Sequence, residues 1–185
     1  MDRSYEKRLY NLFVSKVNTD NPFPETFDEL TAQLRQQLKT ADITEQEKKA
    51  IRQAGSSFKI GCALIEEKKI SNNTFQTSAV ETSALELILF GSYLQLKNFA
   101  RKIKIYNRKD TLLIQLKSYL AEDFRLKELR NALAFTGDNA STYFFFAEDG
   151  ALRYKTKQTN TEETMDVFEV LFATLLLWVI ASEWL

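Results

Sequence analysis

The chain has 185 residues, no net charge, 44% hydrophobic and 27% charged residues, and no histidine. Without imidazole, Ser-His-Asp and Cys-His nucleophile activation are excluded, as are zinc sites that need histidine. Charge neutrality means that no global field draws the chain to nucleic acid or membrane, so any such binding needs a local patch.

Two prolines and five glycines leave few turns, which favours long helices over a many-stranded sandwich. The length suits one domain over residues 1–185. The lone cysteine, Cys62, excludes a disulfide within the chain, and a reducing, cytoplasmic setting is expected. Its neighbours Ile60, Gly61, Ala63 and Leu64 make it read as a buried core residue rather than a reactive thiol. Residues 1–12 carry charges throughout, so no signal peptide is expected there.

In chain order, Leu9, Leu12, Phe13 and Val17 have helical spacing within residues 3–17, and Asn21-Pro22-Phe23-Pro24 is a break. Thr26 before Asp28 and Glu29 reads as the cap of a helix running to about Lys39. Thr44-Glu45-Gln46-Glu47 matches a capping box. Behind it Ile51, Ala54, Phe58, Cys62 and Ile65 recur at three and four residues, predicting one helix over about 45–69. Gly55 and Gly61 weaken that helix, but small residues also permit close packing.

Ser71 to Thr74 reads as a loop, followed by helices over about 77–106 and 109–134. Tyr143–Phe146 and Leu152–Thr156 flank Glu148-Asp149-Gly150, which predicts a β-hairpin. Thr161-Glu162-Glu163-Thr164 reads as the start of the last helix. Val170 to Ile180 is apolar except for Thr174. It is shorter than the roughly 20 residues of a membrane span and has no basic flank, so a buried core helix is expected rather than a tail anchor. The fold expected from these patterns is an all-α bundle of about six helices with one small β-hairpin near residues 143–156.

Two stretches carry possible chemistry. In Phe124–Gly137, Leu126, Leu129, Leu133 and Ala134 mark one helix face, with Arg130 and Asn131 beside it. A buried guanidinium must be paired; the plain structural reading is an arginine that snorkels or pairs with Glu128. The second stretch, Leu96 to Asp110, holds Lys97, Arg101, Lys102, Lys104, Arg108 and Lys109, with no acid between Glu86 and Asp110. With Phe99 and Tyr106 interleaved, it is either an RNA-tracking patch or a solvated helix end whose aromatics are core.

The string Leu129-Arg130-Asn131-Ala132-Leu133-Ala134-Phe135-Thr136-Gly137 resembles the signature helix of the HEPN superfamily, whose motif runs from an arginine and a polar residue to a histidine. Phe135 stands where that histidine is expected. The order of long helix, motif, hairpin and apolar closing helix extends the resemblance over about residues 77–185, and residues 1–75 remain an unassigned helical part. The resemblance implies a dimeric helical bundle acting on RNA in a prokaryotic defence or toxin–antitoxin type system, as a metal-independent endoribonuclease without cofactors. Cleavage without metal needs a base for the 2′-OH, an acid for the leaving oxygen and a cation for the phosphorane. Histidine suits the first two roles and arginine the third. By this resemblance Arg130 stabilises phosphate and Asn131 orients it. Phenylalanine transfers no proton, so the chain as given is expected to be inactive or impaired. Phe135 is then either a natural degeneration or an inactivating substitution.

Other groups carry less. Glu66-Glu67 and Glu162-Glu163 are adjacent in sequence and would point apart on a helix. Asp138 and Asn139 read as turn formers. The aromatic run Tyr143–Phe146 suits packing or a dimer contact. The rival reading of the whole chain is a non-enzymatic protein-interaction module, an antitoxin- or immunity-like partner binder with no membrane contact.

Overall fold

Every residue from Val170 to Ala181 is buried, so one helix of this protein is enclosed on all sides and its neighbours are built around it. The computed structural model describes residues 3–16, 23–38, 43–65, 79–102, 112, 141–146, 151–156 and 162–185. Five helices lie among these residues: α1 (Ser4–Lys16), α2 (Phe27–Gln37), α3 (Glu45–Leu64), α4 and α5 (Val167–Ser182). Helix α4 joins α-helical Ala79–Ile88, π-helical Leu89–Tyr93 and α-helical Leu94–Lys102. The described part of the protein is thus mainly helical. None of its helices is long and apolar enough to cross a membrane.

Local chemistry sets the helix starts. At α3, the Glu47 backbone N–H donates to Thr44 Oγ1 at 3.3 Å, and Thr44 N–H donates back to Glu47 Oε2 at 2.8 Å. Thr26 and Glu29 form the same reciprocal box at α2. Helix α3 ends at Leu64, earlier than the expected residue 69, with Ile65 extended as its C-cap. Ile65 is itself buried and carries the α3 stripe to the last described residue of this segment.

Packing follows from small residues at the crossings. Helix α5 packs on α1, α3 and α4, and α3 packs along α4. A Cβ at Gly61 would come within 2.9 Å of the Ala84 carbonyl oxygen, and one at Gly91 within 2.9 Å of Ser57 Cβ. Gly61, expected to weaken α3, therefore sets one of its close approaches to α4, and Gly91 of α4 sets another. Aromatic edges fill the α1–α5 contact, with Phe13 and Phe172 ring centroids 4.8 Å apart and T-shaped. Each large apolar side chain fully enclosed in this way stabilises the fold by about 1.5–3 kcal/mol over its exposed state.

The π-helical segment of α4 has a physical reason in the burial pattern. Ala84, Ile88, Ser92, Leu96 and Ala100 are all buried, as are Leu85, Leu89, Tyr93 and Lys97. Both rows repeat every four residues. At 3.6 residues per turn such a row drifts by roughly 40° at each repeat. The wider turn at Leu89–Tyr93 takes up part of that drift and keeps both rows facing α3 and α5. Ser92 Oγ then donates to the Ala54 carbonyl oxygen at 2.8 Å, a buried link between α4 and α3.

Strands β1 (Ser141–Phe146), β2 (Ala151–Thr156) and β3 (Glu162–Asp166) pair antiparallel in the order β1-β2-β3. The register sets Phe144 opposite Tyr154 and Tyr154 opposite Glu163. The turn expected at Glu148-Asp149-Gly150 lies outside the described residues. Residues 162–166 were expected to open the last helix, but they form β3 and the helix begins at Val167. Thr161 to Thr164 have the composition of a helix cap, yet pairing with β2 supplies the backbone partners that capping would otherwise provide.

Candidate functional site

Arg130, Asn131 and Phe135 lie outside the described residues, as do Lys104, Arg108 and Lys109 and the helix expected over 109–134 apart from Leu112. Leu112 is helical and buried. Arg101 and Lys102 form the last described turn of α4. Lys97, one turn earlier, is only 6% exposed because it falls on the four-residue row that begins at Leu85. Phe99 is also buried, its ring 5.9 Å from that of Trp184 and T-shaped to it. The start of the basic stretch is therefore packed into the bundle. This was legible in the sequence as the repeat Leu85, Leu89, Tyr93, Lys97.

The described residues bring together two clusters of ionisable groups that sequence spacing did not suggest. In the first, Glu6 of α1 is 1% exposed and accepts a hydrogen bond at Oε1 from Trp178 Nε1 of α5 at 3.2 Å. Lys59 Nζ of α3 lies 3.2 Å from the same oxygen and 5.6 Å from the centroid of the Trp178 ring. One carboxylate thus ties three helices, with its charge met by an ammonium and an indole N–H. Cys62, one turn from Lys59, is buried beside it. Burial pushes its thiol up to about 12; a hydrogen bond with Tyr5 works the other way, and the Glu6 charge adds to the rise. A thiol held protonated in this way is a core residue, as its neighbours in sequence suggested. Enclosure gives this cluster a structural role, because no substrate reaches a carboxylate that is 1% exposed.

The second cluster joins the two ends of the chain. Glu183 accepts from Arg35 Nε at Oε2 at 2.8 Å, and Arg3 Nη1 lies 3.6 Å from its other oxygen. Arg3 Nη2 also donates to Ser182 Oγ at 2.8 Å. Residues 3, 35 and 183 are remote in sequence, so no motif announces their meeting. No group of three His, Cys, Asp or Glu side chains among the described residues could hold a metal ion. Comparison of the chain with protein-family models, curated proteins and solved structures finds no match.

Proposed function

We propose that this chain is a HEPN-like, RNA-directed protein of a prokaryotic defence or toxin–antitoxin type system, with its proton-transfer position vacant. The string Leu129–Gly137 carries the reading, with Arg130 and Asn131 preceding Phe135 at the family's spacing. Arg130 holds the phosphate and Asn131 orients it. Phe135 leaves the nuclease inactive or impaired, since loss of a positioned acid–base group typically costs ~10²–10⁴ in rate. Two copies pair so that their motifs share a cleft. The finer architecture of this reading is a bundle of about six helices, with the hairpin expected near residues 143–156 extended by β3. The cations beyond the buried Lys97, namely Arg101, Lys102, Lys104, Arg108 and Lys109, guide the strand.

Binding of labelled single-stranded RNA across a salt series tests the reading. Affinity is expected to fall steeply with salt, by about 0.7 in log–log slope for each phosphate neutralised. Arg108→Ala with Lys109→Ala should weaken binding and flatten that slope. No binding at low salt, or binding indifferent to salt, would contradict it.

Ile60 and Leu64 favour a second reading. They are 55% and 46% exposed and stand one turn apart on α3. An exposed apolar pair on a chain of zero net charge suits a protein-interaction module that binds an antitoxin- or immunity-type partner. A stable complex with a protein partner that Ile60→Glu abolishes, together with no RNA binding, would favour this reading over the first.

A further inference from the structure

The Arg3–Glu183–Arg35 cluster opens onto a cavity of about 490 Å³, within the range of roughly 300–1,000 Å³ common for small-molecule sites. Arg3, Lys7, Phe27, Asp28, Thr31 and Arg35 line it. The three cations of the lining face the Asp28 carboxylate, and Glu183 stands behind the two arginines, so one positive charge is in excess. Lys7 Nζ is bonded to Asp28 Oδ2 at 2.8 Å, on the exposed side. The Arg3 guanidinium is held by Ser182 and Glu183 and lies 5.9 Å from the centroid of the Phe27 ring.

Arg35 differs from the other two. It spends only Nε on Glu183, and its side chain is 65% exposed. Its two terminal amino groups have no partner among the described residues and form the planar fork that matches a phosphate. Glu183, with its side chain 7% exposed, thus acts as a buried anchor that orients a guanidinium at the cavity wall.

We propose that this cavity binds a phosphate monoester on a small polar carrier. The Arg35 fork takes two phosphate oxygens, with Arg3 and Lys7 lining the same cavity. The volume leaves room for a polar body beyond the phosphate, and the polar walls suit one. The site uses residues of the N-terminal part and the chain's last turn, so it does not depend on the RNA reading.

Calorimetric titration of the full chain at low salt with glycerol 3-phosphate, glycerol and succinate tests this. Single-site binding of glycerol 3-phosphate is expected with Kd at or below about 1 mM. Glycerol should give no heat of binding. Succinate should bind at least about tenfold more weakly, because it lacks a single dianionic head for the fork. Arg35→Ala should weaken glycerol 3-phosphate at least about tenfold with an unchanged helical circular dichroism spectrum. Arg52→Ala, an exposed cation on α3, should leave binding as it was. Absence of saturable binding, succinate as tight as the phosphate, or an Arg35→Ala protein that binds like the parent would each overturn the proposal.

Discussion

The six-membered ring of Trp178 occupies the space where residue 55 would carry a Cβ, so α5 meets α3 at a glycine. The same indole donates to Glu6. One side chain therefore fixes both the distance and the orientation of three helices. Gly55→Ala is expected to destabilise the fold by about 1–3 kcal/mol, the usual cost of overpacking a closed core. Urea unfolding would show this as a lower midpoint at an unchanged slope. A midpoint equal to the parent's would mean that the ring is free to move aside.

Glu6 should behave as the acceptor on which Trp178 depends. Glu6→Ala leaves the indole N–H buried and unmet, at a cost of about 1–3 kcal/mol. Glu6→Gln keeps an oxygen for the indole and should lose less. Lys59 is 32% exposed and can turn its ammonium to water in either variant. Equal losses in the two variants would place the effect on the ion pair instead of the indole bond.

Alkaline pH should weaken the protein through Cys62. Burial holds the folded thiol near 12, against an ordinary value of 9.0, so above pH 9 the unfolded chain releases a proton that the folded chain keeps. The stabilisation is complete below pH 9 and is lost as pH rises toward 12. Tyr10 is raised in the same direction, first by burial and then by the Glu29 charge. Iodoacetamide at pH 8 should accordingly label Cys62 only at the rate of unfolding. Fast labelling of the native chain would show the thiol to be open.

The helices were legible where local chemistry and burial agree. Thr44 and Glu47 announce the start of α3 and form the bonds that their spacing predicts. Ile51, Ala54, Phe58, Cys62 and Ile65 mark its buried face, and all five are buried. The apolar run at Val170–Ile180 reads as a core helix and is one. Residues 162–166 misled because an acidic, threonine-flanked turn suits a cap and an exposed strand equally, and only pairing with β2 decides. The π-helical turn was hidden because a four-residue repeat differs little from a helical one until it is followed over four turns. The meeting of Arg3, Arg35 and Glu183 is a product of tertiary packing and leaves no trace in local spacing.

Under the function proposed above, Phe135 fills the proton-transfer position of an RNA-cleaving motif built on Arg130. The most direct test compares RNA cleavage by the parent chain, the Phe135→His variant, and Phe135→His combined with Arg130→Ala, all without metal. Phe135→His is expected to raise cleavage by about 10²-fold or more over the parent, and adding Arg130→Ala to remove it. A Phe135→His protein that folds, binds RNA and still cuts none of a range of RNAs would show that residue 135 is not a proton-transfer position.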